Sequence, residues 1–222
     1  MNPCHVCNKA KHHKSVFELS RNRANSVLDL IHSDVWGPAP TTSNTGMLYY
    51  VLFIDNYSRF SWIFPLRHKS EVFAVFVTFK TYIENLTSAK IKCLRTDGGG
   101  EFVNNSFISF LKQHGIVHQI SCPYTPEQNG VAERKHRHII KTTRSLLLTA
   151  SVPYKHWPEA ALTATYLINR MPSPNTHNIS PFELLYHKAP DSNNTFIALS
   201  IIISSLNSFS FTRTPTSPIV LH

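Results

Sequence analysis

Acidic residues are scarce in this chain. Of 222 residues only 13 are Asp or Glu against 22 Lys or Arg, which leaves a net charge of +9 and a sequence pI near 9.5. Such a balance points to a polyanionic partner, nucleic acid or an anionic membrane surface. Long hydrophobic runs are missing too: no stretch reaches the ~18 uninterrupted apolar residues of a spanning helix. Met1 leads into Asn2, Pro3 and Cys4, where a secretory signal would place leucines. No membrane partner is therefore expected, and nucleic acid is. Cysteine is limited to four residues, too few for a disulfide scaffold of this length, so they read as thiols or metal ligands in a reducing compartment. Glycine is limited to seven residues, all between Gly37 and Gly130, which confines tight turns to that part and marks a change of character near Gly130. Against these shortages stand 42% hydrophobic and 16% charged residues, enough to bury a core. At about 150 residues per domain the length allows one domain with appendages, or at most two.

Strand-length apolar runs lie within Val27 to Trp36, Leu48 to Ile54 and Phe60 to Leu66, the last two separated by Asp55-Asn56-Tyr57-Ser58-Arg59, a hairpin signal. Ser70 precedes Val72, Phe73, Phe76, Phe79 and Ile83, whose steps of three and four predict an N-capped amphipathic helix covering one sheet face. Ile91 to Leu94 predicts a buried strand running into Asp97-Gly98-Gly99-Gly100, Phe107 to Gly115 a helix, and Ile116 to Ser121 a further strand. After the Pro-rich loop Pro123 to Pro126, the run from Gly130 to Thr149 carries Ile139, Ile140, Thr143, Leu146 and Leu147 on one stripe, and Trp157 to Arg170 is again helical. This order of elements predicts an α/β layer structure with a mixed central sheet flanked by helices. Past Asp191 the composition shifts: eleven of the 31 residues from Ser192 to His222 are Ser or Thr, and Arg213 is the lone charged side chain there. That tail is expected to be disordered and dispensable, because its apolar pieces show no periodic stripe.

Three acids stand out by placement. Asp34 interrupts an apolar strand pattern, Asp97 ends a strand in glycines, and Glu133 opens a helix just after a glycine-containing loop. A carboxylate inside a strand is costly unless a cation or solvent meets it. Divalent metal would do so, and two such ions can activate a hydroxyl and stabilise a leaving oxygen in phosphodiester chemistry. The alternative is three solvated surface acids. The helix after the loop favours the metal reading: Arg134, Arg137, Lys141 and Arg144 recur at steps of three, four and three as one basic face. Glu133, seven residues before Ile140, is expected to point inward from the same helix. Such a helix can lay cations along a phosphate backbone while feeding a carboxylate to a metal site.

Four blocks in order, Ser33-Asp34-Val35-Trp36-Gly37-Pro38, Phe53 to Arg59, Arg95-Thr96-Asp97-Gly98-Gly99-Gly100-Glu101-Phe102, and Pro123 to Arg134, resemble the integrase catalytic core of copia-type LTR retrotransposons. The resemblance runs from about Val27 to Asp191 and includes Tyr166 to Arg170 and Pro181 to Tyr186. It implies a ribonuclease-H-like fold and a D,D,E triad with 35 residues between its second and third acids, as lie here between Asp97 and Glu133. Asp34, Asp97 and Glu133 inherit the catalytic and metal-binding roles, with Mg²⁺ or Mn²⁺ as cofactor. DNA, both element cDNA ends and target, is the implied partner, joined through its 3′-hydroxyl by a chain working as a homo-oligomer in the nucleus or a cytoplasmic virus-like particle. The sequence departs from the family at Gly98, where an Asn usually follows the second acid. Asp55 is assigned to a structural hairpin and Glu101 to a position beside the site, neither as a ligand.

Cys4-His5-Val6-Cys7 is a C-x₂-C pair of the kind that grips zinc, but a closed structural site needs four ligands. His12 has knuckle spacing from Cys7, yet the next ligand position falls on Phe17. The pair resembles the cut end of an HHCC module over residues 1–20, an incomplete half-site not expected to hold zinc in the isolated chain. Cys93 and Cys122 are expected to be core thiols. The catalytic reading thus has two rivals: a non-catalytic nucleic-acid-binding remnant of a polyprotein, and a nuclease of the same fold limited to hydrolysis.

Overall fold

A computed structural model describes residues 23–121 and 126–191. Cys4, Cys7, His12, Cys122 and the tail 192–222 lie outside the described residues. Five strands form one mixed sheet: β1 Ile31–Trp36, β2 Tyr49–Asp55, β3 Ser61–Leu66, β4 Cys93–Thr96 and β5 Val117–Ile120, in the order β3-β2-β1-β4-β5. β2 pairs antiparallel with β1 and β3, whereas β4 runs parallel to both β1 and β5. Between β3 and β4 lies helix α1, Val72–Thr87; between β4 and β5 lie α2, Gly100–Val103, and α3, Asn105–Gln113. After β5 come α4, Pro126–Thr149, α5, Trp157–Arg170, and α6, Pro181–Tyr186. The mixed sheet flanked by helices is a ribonuclease-H-like architecture.

Every residue of β2 after Tyr49 is buried, which explains its unbroken apolar run. Val51 and Phe53 enter one core with Phe76, Phe79 and Ile83 of α1 and Phe107 and Leu111 of α3; Tyr50, Leu52 and Ile54 enter a second with Ile139 and Leu147 of α4 and Trp157 and Ala161 of α5. Phe53 stacks on Phe79 with ring centroids 4.3 Å apart, a contact contributing ~0.5–1.5 kcal/mol beyond area burial. In β1 the same alternation sends Ile31 toward the α1 layer and His32, Asp34 and Trp36 to the opposite, α4-facing side.

Several boundaries differ from those the sequence predicts. Ser70 does not cap α1; it lies in a 3₁₀ turn, Lys69–Glu71, and the Glu71 carboxylate accepts the His68 N–H at 3.0 Å. The helix expected over Phe107 to Gly115 is α3, which starts two residues earlier because Asn104 caps it by accepting the Phe107 N–H at 2.9 Å; the short α2 before it was not expected. α4 begins at Pro126, before Gly130, because proline fits a first helical turn whose N–H would be unpaired. The hairpin between β2 and β3 closes on Asp55, whose Oδ1 accepts the Leu28 N–H at 2.9 Å while Oδ2 accepts the Ser58 N–H at 2.7 Å and hydroxyl at 2.6 Å. Burial pushes this carboxyl above the ordinary aspartate range, and the Ser58 and Leu28 bonds pull back against it. Beside it His32 is held neutral: burial, then the charges of Arg95, Arg59 and Arg134, lower its pKa to about 3. No helix among the described residues is long and apolar enough to cross a membrane.

Candidate active site

Because β1 and β4 are parallel and Ile31 pairs with Leu94, Asp34 and Asp97 come to the same level of the sheet, one within β1 and the other just past the end of β4. Asp34 Oδ1 accepts the Val35 N–H at 2.8 Å. Its Oδ2 faces Nε2 of His136, on α4, at 3.5 Å. Asp97 is half-buried, and its carboxyl is raised above the ordinary range by burial first and by the charge of Asp34 second; the Gly99 N–H, donated to Asp97 Oδ1 at 3.1 Å, opposes the rise. An aspartate whose ionisation is disfavoured by a second carboxylate forms with it a donor set for a hard divalent cation, which would relieve that repulsion.

The loop after β4 is built for this approach. A Cβ on Gly99 would stand 2.9 Å from the Glu101 carboxylate and 3.0 Å from Asp97 Oδ1, so a side chain there would displace both acids. Gly98 is different: a Cβ would meet only Ile120 Cγ2 at 3.9 Å, ordinary contact, so the asparagine usual in the family has room. Glu101 is paired with Lys69 at 3.0 Å. Asp55, fully buried and engaged by three donors, sits in the hairpin.

Glu133 does not point inward as its spacing from Ile140 predicts; it is exposed. The buried stripe of α4 is Ala132, His136, Ile139, Thr143 and Leu147; Ile140 is only half-buried on its rim, and Glu133, two turns before Ile140, falls just outside that rim. Among the described residues no three His, Cys, Asp or Glu side chains converge as a metal-holding group. Asp34 and Asp97 are thus the two acids at one level of the sheet, with Glu133 one helical turn before His136. The basic face is as expected: Arg134, Arg137, Lys141 and Arg144 are all exposed along α4. Cys93 opens β4 as a half-buried free thiol, its pKa pushed up by burial.

The structure adds a residue that the sequence reading passed over. His136 is buried, and Tyr50 lies against its Nδ1 at 2.8 Å. Burial, then the charge of Asp34, raise the Tyr50 phenol, so it stays protonated and can donate to Nδ1. The tautomer that satisfies this bond carries its proton on Nε2, aimed at Asp34. Spacing offered one signal: His136 follows Glu133 by three residues, one turn of the same helix. Lys135 is a second addition. Its Nζ donates to the Arg59 carbonyl at 3.3 Å, and burial, then the Arg59 charge, lower its pKa to about 8.

Residues 24–126 match the integrase core domain family. The chain is 43% identical over 188 residues to a retrovirus-related Pol polyprotein from transposon RE1 of Arabidopsis thaliana, covering 85% of this chain and 13% of that one. It is 44% identical over 171 residues to the Pol polyprotein from transposon TNT 1-94 of Nicotiana tabacum, covering 77% of this chain and 13% of that one. The chain thus spans about 13% of the length of these curated relatives. Among solved structures, the fold is similar to the HTLV-2 integrase catalytic core domain in complex with magnesium, with a TM-score of 0.57 at 16% identity over 74% of this chain and 100% of that one. It is also similar to a chain of the simian T-cell lymphotropic virus intasome, with a TM-score of 0.67 at 14% identity over 99% of this chain and 68% of that one. The chain belongs to the integrase core family and is similar, over most of its length, to the Pol polyproteins of plant copia-type retrotransposons.

Proposed function

We propose that this chain is the catalytic core of a polynucleotidyl transferase that joins a cDNA 3′-hydroxyl to target DNA with Mg²⁺ or Mn²⁺. The observation that carries the reading is the pair Asp34 and Asp97, brought to one level of the sheet with the charge of one raising the pKa of the other. A divalent cation held there would promote ionisation of the attacking hydroxyl and offset charge on the leaving oxygen. His136, braced by Tyr50, stands 3.5 Å from Asp34 Oδ2, and the Gly99 N–H orients Asp97. Glu133 would complete the donor set from α4, and the exposed cations that follow it would lay the DNA along the helix. Assembly as a homo-oligomer and a place of work in the nucleus belong to the same proposal.

The exposure of Glu133 and the presence of Gly98 beside Asp97 favour a second reading, a nucleic-acid-binding remnant without catalysis. One assay separates these and the hydrolytic nuclease. With Mn²⁺, a labelled duplex bearing 3′-hydroxyl ends and supercoiled plasmid, a transferase carries label covalently into the plasmid. A nuclease nicks the plasmid without label. A remnant does neither while still retarding the duplex.

A further inference from the structure

Trp36 leaves β1 two residues after Asp34 and on the same face, so the candidate active site continues into an aromatic cavity. The cavity, about 430 Å³, lies between the end of β1, α4 and the start of α5. That volume falls in the roughly 300–1,000 Å³ range of small-ligand sites. Its walls include Trp36, Tyr50, Tyr154 and Trp157. Trp36 stacks on Tyr50 with centroids 5.2 Å apart, and Trp157 meets Trp36 edge-on at 5.6 Å. The Trp157 indole is pinned, its Nε1 donating to the Thr41 carbonyl at 3.1 Å. Tyr154, by contrast, is half-exposed, and Trp36 is half-buried, so both present ring surface to an incoming group.

Arg144 also lines this cavity and is the last cation of the exposed row Arg134, Arg137, Lys141 and Arg144. An apolar, aromatic hollow that opens beside a row of cations matches a ligand with flat rings attached to an anionic chain. We propose that the cavity takes an unpaired nucleobase from a DNA strand lying on α4. This rests on the reading above that DNA follows that helix. A paired base is stacked within its duplex and cannot enter, so the occupant belongs to a frayed end or a single-stranded tail. Recognition should tolerate any base, because the cavity offers ring faces rather than hydrogen-bonding edges: the Thr143 hydroxyl already donates to the Ile139 carbonyl at 2.8 Å, and the Trp157 N–H is taken. The position, contiguous with Asp34 through Trp36, Tyr50 and His136, would hold a splayed strand next to the carboxylate pair.

A duplex with a short unpaired 3′ tail carrying one 2-aminopurine tests this with the full chain. Binding should quench the fluorophore, as stacking on an aromatic ring does. Tyr154→Ala should weaken binding of the tailed DNA roughly five- to 150-fold and restore fluorescence; Trp36→Ala, on the opposite wall, should do the same. Salt-sensitive duplex binding with an unquenched tail would overturn the cavity assignment and leave the DNA reading standing. Quenching equal in wild type and both variants would overturn it as well, since the base then stacks elsewhere. Failure to bind duplex and tailed DNA alike would overturn the DNA reading and this inference together. A self-associating chain whose dimer dissociates in Tyr154→Ala would show a second copy filling the cavity, and would also overturn it.

Discussion

Asp97→Asn should abolish DNA joining and, at the same time, raise the melting temperature. Joining should fall roughly 10³-fold or more, because losing a carboxylate ligand removes several kcal/mol of charge stabilisation. The stability gain follows from the raised pKa of Asp97, caused by burial and then by Asp34. The folded protein holds this proton more tightly than the unfolded chain, so the group's contribution to stability is fully present below the ordinary aspartate value and is lost as pH rises through the raised one. At neutral pH the ionised pair weighs against folding, and the amide removes that burden. Each kcal/mol relieved appears as roughly 2–4 °C in a chain of this size. The gain should shrink as the pH falls toward the ordinary aspartate range, through the raised value of native Asp97. Calorimetry across pH, paired with the joining assay, checks both halves; a variant that melts lower at neutral pH, or still joins DNA, contradicts the assignment.

Duplex affinity should fall steeply with salt and show little sequence preference. If Arg134, Arg137, Lys141 and Arg144 each meet one phosphate, the log–log slope is about −3.6, or a loss of roughly 150-fold between 50 and 200 mM salt. Replacing Arg137 and Lys141 by Ala should bring the slope to about −1.8 and that loss to roughly twelvefold. Both side chains are exposed, so the melting temperature should barely move. Binding isotherms over a salt series give the slope, and a slope unchanged in the double variant would put the DNA path off α4.

Sequence periodicity was legible wherever an element buries one continuous face. The stripe Val72, Phe76, Phe79 and Ile83 located α1, the apolar run Leu48 to Ile54 located β2, and Trp157 to Arg170 matched α5. Boundaries set by single hydrogen bonds were not legible in the same way. Ser70 fell inside a 3₁₀ turn closed by the Glu71 carboxylate, and the Asn104 cap started α3 two residues before Phe107. At the site, the levels of Asp34 and Asp97 followed from two parallel strands, a simple topology. Glu133 did not follow, because its direction had been judged from Ile140 alone, a residue on the rim of the stripe rather than at its centre. His136 was hidden for another reason: its partners, Tyr50 and Asp34, are 86 and 102 positions earlier in the chain, and no local spacing links them.

The central claim, that Asp34 and Asp97 form a divalent-cation site, is tested most directly by the melting temperature of the chain titrated with Mn²⁺ at neutral pH. A ligand at a hundred times its dissociation constant stabilises the folded state by about 2.7 kcal/mol. The wild type should therefore gain roughly 5–10 °C at that excess. Asp34→Asn and Asp97→Asn should gain almost nothing over the same range. A wild type indifferent to Mn²⁺, or variants that respond as it does, would contradict the account.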